Sequence, residues 1–330
     1  MKSVRMNRML KLLGIVSISF VLILVTVGGA LAQEQKVIDV QIWGGSPGGA
    51  KEAYTIAVGE LIRKAIPNTV VTSQLIAGMS AFALIEEDEG SDSVHIGYGS
   101  AYNAGLQYRG RLPFEKPWEK VRVLFGLTPS VTYIVTRAAD GIESIEGLKG
   151  NRHSPGTVGM TGELFFQHVL EEYGMSYDDL RIQHLTTAQS TEELIDGKLD
   201  SLSVNGGFPR AGFVHLAETM DVKFLPLRED VIDNLVEKYP GTVRFTIPAG
   251  TYKGVDLDIK TTATINVLHT TADLPDEIAY KITKVIFENW DYLSEVSADM
   301  RDVSHEDMTR DLGIPFHPGA VKFFEEKGLM

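Results

Sequence analysis

The chain is 330 residues long, 44% hydrophobic and free of cysteine, with a formal charge of −13. That length can bury a sizeable core and divides most naturally into two lobes of roughly 100 to 150 residues. The absent cysteines exclude disulfides, thiolate metal sites, a cysteine nucleophile and a cysteine-borne lipid anchor, and the negative charge makes nucleic acid and anionic membranes poor partners.

Lys2, Arg5, Arg8 and Lys11 precede an apolar run that starts at Leu12 and ends in Ala30-Leu31-Ala32, so residues 1–32 read as a secretory signal with a small-residue cleavage site. The run is roughly 20 residues, and an uncleaved anchor is the alternative. An exported chain without cysteine suits a bacterial periplasm, where a large core can do without covalent staples.

Residues 37–44 read as a strand that runs into the corner Gly44-Gly45-Ser46-Pro47-Gly48-Gly49. A helix follows, with apolar Ala50, Ala53, Tyr54, Ala57, Val58, Leu61 and Ile62 at helical spacing, and it stops at Pro67. A strand over 70–76, a short helix over 80–87 and a strand over 94–99 complete an alternating set, which predicts a parallel sheet with right-handed crossovers. A second set begins with a strand over 131–137 and a helix over 162–173, closed by Gly174. Strands over 182–186 and 199–204 flank a short helix over 191–196. A helix opening at Pro209, strands over 222–227 and 262–269, and a long helix over 275–293 finish the pattern. The whole is α/β, in two similar units.

In open α/β sheets, ligands sit beyond the carboxyl ends of strands. Three small-residue loops fall at such ends: 44–49, 97–100 and 156–162. Their backbone N–H groups and helix dipoles suit one anionic or polar guest, although tight turns alone would also use these glycines. A nucleotide phosphate loop is poorly matched, because Gly44 and Gly49 are followed by Ala50 and Lys51, which puts the lysine one residue late and leaves out the hydroxyl. Gly44-Gly45-Ser46-Pro47-Gly48 spells a hydrolase elbow, but Pro47 has no N–H to donate to an oxyanion. The run Glu86-Glu87-Asp88-Glu89 reads as a solvated face, and the scattered histidines offer no zinc spacing. Trp43, Tyr54, Tyr98, Tyr102, Phe208 and Tyr252 are aromatic candidates for a cleft wall, with core packing as the alternative. Arg210, after the Gly207-Phe208-Pro209 turn, could clamp a carboxylate or simply be solvated.

Several motifs together resemble the TAXI family of solute-binding proteins, the extracytoplasmic receptors of one class of TRAP transporters. They are Leu148-Lys149-Gly150, Tyr177-Asp178-Asp179 after Gly174, Gly207-Phe208-Pro209, Ile247-Pro248-Ala249-Gly250-Thr251-Tyr252, and His317-Pro318-Gly319-Ala320 with Phe323 and Phe324. The resemblance spans nearly all of the chain after the signal. It implies a type II periplasmic-binding-protein fold, with two α/β lobes joined by hinge strands near 123–135 and 262–269 and a ligand cleft between them. Lobe 1 would be 33–127 with 265–330 and lobe 2 would be 128–264, each boundary to within about ten residues. The implied function is capture of a small organic acid or amino acid such as glutamate, glutamine, a 2-oxoacid or a dicarboxylate, and delivery to a membrane permease, with no chemistry on the solute, no cofactor and no metal.

The expected pocket departs from the family pattern. Gly49-Ala50-Lys51-Glu52 stands where the family has Gly-Thr-Tyr-Tyr, Gly78-Met79-Ser80 where it has Gly-Gly-Ser, Tyr98-Gly99-Ser100 where it has Gln-Ser-Asp, and Met160-Thr161-Gly162 where it has Ser-Gly-Thr. The expected ligand groups are therefore the hydroxyls of Ser46, Ser80, Ser100 and Thr161, the backbone at Gly49 and Gly162, and the charges of Lys51 and Arg210, with Trp43, Tyr98, Tyr102 and Phe208 as walls. The competing readings are a periplasmic sensor for a membrane kinase and a serine hydrolase using Ser46.

Overall fold

A computed structural model describes residues 37–44, 50–76, 79–297 and 300–330. The signal over 1–32 and the candidates Ser46 and Gly49 lie outside the described residues.

The first strands and helices alternate as predicted. They are β1 (Ile38–Gly44), α1 (Ala50–Ala65), β2 (Thr69–Gln74), α2 (Met79–Glu87) and β3 (Val94–Ser100). Strand β1 pairs in parallel with both β2 and β3. Helix α3 (Ala101–Arg109) starts straight off β3, because the Ser100 hydroxyl accepts the Tyr102 N–H at 3.3 Å and caps it. Strand β4 (Val121–Arg137) then runs through 17 residues.

Past it come β5 (Arg152–Ser154), α4 (Thr161–Glu172), β6 (Arg181–Ile182), α5 (Thr187–Ile195), β7 (Ser201–Gly206), α6 (Ala211–Thr219), β8 (Val222–Phe224), α7 (Glu229–Lys238), β9 (Thr242–Ile247) and β10 (Ile259–Thr271). The chain ends in α8 (Asp276–Glu288), α9 (Trp290–Val296), α10 (His305–Thr309) and α11 (Pro318–Glu326). The sheet order is β2-β1-β3-β10-β4-β7-β5-β6, with β8 on β4 and β9 on β10.

Several predicted elements differ, and two show their cause directly. The strand expected over 182–186 is only β6, because Thr186 leaves the sheet to cap α5: its hydroxyl accepts the Gln189 N–H, and Gln189 Oε1 accepts the Thr186 N–H. The long helix expected over 275–293 is broken at Asn289. There the side-chain amide donates to the Val285 carbonyl at 2.7 Å, taking over an acceptor of the helix ladder.

Strands β4 and β10 belong to both halves of the sheet. Strand β10 pairs with β3 over its C-terminal part and with β9 over its N-terminal part, while β4 pairs with β10 and then with β7. Where they cross, Pro129 faces Ile265 and the register shifts between Ile265 and Val267. A proline donates no ladder hydrogen bond, so the pairing is thinnest there. One core lies under the first half, with Val40, Ile42, Phe125, Ile282 and Phe324 buried, and another under the second, with Tyr133, Leu202, Phe213 and Phe224. Tyr102 of α3 fits among Phe165 and Tyr239 and ties the two halves together.

The C-terminal motif is scaffold. His317 Nδ1 accepts the Gly319 N–H at 3.1 Å, and its Nε2 donates to the Leu274 carbonyl at 2.9 Å. Pro318 takes the first turn of α11. A Cβ at Gly319 would sit 2.2 Å from the Asp276 carbonyl, so only glycine lets α11 lie this close to α8.

Candidate functional site

Between the halves, over the crossing strands, is a cleft of about 510 Å³, a size suited to a small organic molecule. Lys51, Tyr98, Ser100, Thr161, Gly162 and Arg210, all expected from the sequence, line it. They come from α1, the β3–α3 junction, the start of α4 and the start of α6. Each sits at an element end on the same side of the sheet, as strand-end geometry requires.

Arg210 is the most informative. Its backbone N–H donates to the Tyr252 hydroxyl at 2.9 Å, which donates to the Tyr133 hydroxyl at 3.2 Å, which donates to the Gly207 carbonyl at 3.0 Å. The two motifs around Gly207 and Tyr252 thus meet to hold the residue in place. The guanidinium lies 5.6 Å from the Phe213 ring and so close to Gly206 that a Cβ there would fall 2.1 Å from Nη1. It makes no ion pair with any described residue, and burial pulls its pKa below the usual guanidinium value. A half-buried cation without a counter-charge in a cleft is a seat for an anion.

Lys51 approaches from the other half. Its Nζ donates to Asn266 Oδ1 at 3.1 Å and lies 4.8 Å from the Tyr98 ring centre. Asn266 in turn donates to Thr128, at 3.0 Å to the carbonyl and 3.1 Å to the hydroxyl, so α1, β10 and β4 are joined at the cleft floor. Helices α4 and α6 both begin at the cleft without a side-chain cap. Their first-turn N–H groups and dipoles add positive potential. A Cβ at Gly162 would meet the Asn205 backbone nitrogen at 2.9 Å, so glycine is what allows α4 to start against the end of β7.

Three buried side-chain atoms of cleft-lining residues have no hydrogen-bond partner: Asn103 Oδ1, Asn205 Nδ2 and Thr264 Oγ1. Groups of this kind are normally satisfied, and a guest in the cleft would satisfy them. Asn103 also reaches across the cleft, its Nδ2 donating to Thr161 Oγ1 at 2.9 Å. Glu163 carries a carboxylate into the same wall, held by the Gly159 N–H at 3.3 Å, the Gln167 amide at 2.8 Å and the Tyr177 hydroxyl at 3.1 Å.

Four expected residues are placed elsewhere. Trp43 packs in the core, its Nε1 donating to His95 Nδ1 at 3.2 Å. Tyr102 is fully buried between Phe165 and Tyr239. Ser80 is exposed on α2 and outside the lining. Phe208 turns away from the cleft into a second cavity. Sequence reasoning missed the three asparagines. Asn205 had a signal, the Asn-Gly-Gly end of a predicted strand. Asn266 had none, since it lies mid-strand and faces the cleft only because the two halves cross there.

The model of the NMT1-like family matches residues 42–328. The chain belongs to the NMT1-like family. Among solved structures, this NMT1-like protein is similar to a TctC solute-binding protein from Polaromonas, at 17% identity over 89% of this chain and 98% of that one, with a TM-score of 0.51. It is also similar to a protein from Bordetella bronchiseptica RB50, at 14% identity over 88% and 90%, with a TM-score of 0.51. At these identities the likeness establishes the two-lobed α/β periplasmic-binding-protein fold.

Proposed function

We propose that this NMT1-like protein is a periplasmic solute-binding receptor that holds a small carboxylate-bearing solute between its lobes and passes it, unchanged, to a membrane permease. The observation that carries this reading is the unpaired, half-buried guanidinium of Arg210 in a cleft with three unsatisfied polar atoms and two uncapped helix starts. The carboxylate sits on Arg210, with Thr161 and the Gly162 N–H at the start of α4, and Lys51 and Ser100 face it from the first lobe. Lobes at 33–127 with 265–330 and at 128–264 move about the β4–β10 crossing, where the pairing is thinnest. A solute that touches both lobes favours the closed arrangement by its differential affinity.

The finer reading is a TAXI-type receptor of a TRAP transporter, supported by the motifs around Gly207, Tyr252 and His317. Among the described residues no helix is long and apolar enough to cross a membrane. Isothermal titration of the purified protein with a panel of mono- and dicarboxylates, amino acids and 2-oxoacids tests the proposal. Saturable one-to-one binding of at least one acid is expected, and it should weaken in Arg210→Met. No heat from any acid, or undiminished binding in the variant, would count against it.

A further inference from the structure

Behind the crossing strands lies a second cavity of about 630 Å³. The wall between it and the cleft is a single pair of strands. On β4, Leu127 and Pro129 face the cavity, Ser130 faces the cleft and Thr128 borders both. On β10, Ile265 faces the cavity while Thr264 and Asn266 face the cleft. This is the alternation a pleated strand imposes.

The cavity has an apolar bed and a charged rim. The Phe208 and Phe245 rings meet edge to face at 5.1 Å, beside Val243 and Ile265. On the rim, Arg310 is paired with Asp307 at 2.7 Å. The neighbouring Arg301 and Asp302, both exposed, have no ion pair with any described residue. One free cation and one free anion side by side over an aromatic bed match a ligand with both charges on one end and an apolar body on the other. A plain acid would face Asp302 and a plain amine would face Arg301, each meeting a like charge.

We propose that this cavity is a second ligand site, for a small zwitterion with an apolar side chain, of the class of aromatic and branched amino acids. The carboxylate faces Arg301, the ammonium faces Asp302 and the side chain lies against Phe208, Phe245 and Val243. Occupation acts on the cleft. Phe208, Val243 and Phe245 come from one half, Arg301, Val303 and Arg310 from the other, and the strands about which the halves would turn lie between the two hollows. A rotation that narrows the cleft widens the face behind it and draws these two sets of contacts apart, so a ligand bridging the rear cavity opposes closure. This coupling rests on the lobe motion of the proposed function; the binding itself does not.

L-Phenylalanine is the probe, titrated into the purified protein and followed by ligand-observed NMR. One saturable site is expected, with phenylacetate and phenethylamine each binding several-fold more weakly. Val243→Trp, which fills the cavity, should weaken binding more than tenfold. Arg301→Gln and Asp302→Asn, exposed changes that leave the fold alone, should each weaken it roughly two- to fivefold, the range of exposed ion pairs. Arg210→Met, in the cleft, should leave phenylalanine binding intact even where it removes binding of an acid from the panel. No saturable binding to the wild type, or binding lost in Arg210→Met but kept in Val243→Trp and Arg301→Gln, would overturn the site. Because the chain has no cysteine, spin labels can be placed at Ala53→Cys and Val158→Cys, exposed positions on the two halves. Phenylalanine should shift their distance distribution to longer values, and an unchanged or shortened distribution would overturn the coupling.

Discussion

Arg210→Met should make the ligand-free protein more stable and its binding of an acid weaker. The guanidinium is half-buried with no partner charge among the described residues, and burial is the largest influence on it. Holding an ion partly out of water costs on the order of 1 to 2 kcal/mol once its remaining exposure is allowed for. Methionine keeps much of the apolar stem, and the Arg210 backbone N–H to Tyr252 survives the change. The lost contact with the Phe213 ring at 5.6 Å offsets half of that gain, about 0.5 to 1 kcal/mol. A net gain of about 0.5 to 1 kcal/mol raises the melting temperature of a chain this size by roughly 1 to 1.5 °C. Binding moves the other way. Loss of charge-assisted hydrogen bonds of about 1.5 to 3 kcal/mol weakens a carboxylate solute roughly ten- to hundredfold. Thermal melts of the stripped protein and calorimetric titration with an acid from the panel read the two effects separately. A variant that melts several degrees lower and binds the acid as well as wild type would refute the reasoning, because it would make Arg210 a structural residue.

Other positions give independent tests. Gly97→Ala places a Cβ 2.1 Å from Nε2 of the buried His269, whose ring is stacked on Phe82 and has no room to yield; urea unfolding should show a loss of about 2 to 4 kcal/mol. Gly206→Ala places its Cβ nearest the flexible Arg210 side chain, so it should weaken acid binding roughly tenfold in titration while the melting temperature stays within a few degrees. His153 and His269 are both held neutral by burial, with pKa values lowered to about 3. The unfolded chain therefore takes up two more protons than the folded one as pH falls through about 6.5, and stability should drop below that pH with a slope approaching about 2.7 kcal/mol per unit. Urea midpoints between pH 7.5 and 5 test this, and a flat profile would contradict the burial of both rings. Asn103→Ala removes the cross-cleft bond to Thr161 and should broaden the distance distribution between labels on the two lobes.

The α/β alternation was legible because β1, α1, β2, α2 and β3 carry clean periodicity, and the strand-end loops 97–100 and 156–162 line the cleft. Six of the expected residues meet there for that reason. What could not be read was set by contacts far apart in the chain. Tyr102 sits at a strand end, where aromatics often line clefts, yet Phe165 and Tyr239 enclose it completely. Phe208 follows a glycine turn that points its neighbour Arg210 one way and its own ring the other. Asn266 faces the cleft only because β10 crosses between the halves, and nothing in a run of β-branched and polar residues announces a crossing. Two of the quoted motifs serve the scaffold: His317 and Gly319 dock a helix, and the Tyr252 hydroxyl accepts the Arg210 backbone N–H.

The most direct test is native mass spectrometry of the protein purified under gentle conditions, beside Arg210→Met prepared in parallel, with any released small molecule identified after denaturation. The account predicts that wild type carries one small acid in a one-to-one complex and that the variant carries little or none. The same acid retained equally by both proteins, or a bound molecule with no anionic group, would contradict it.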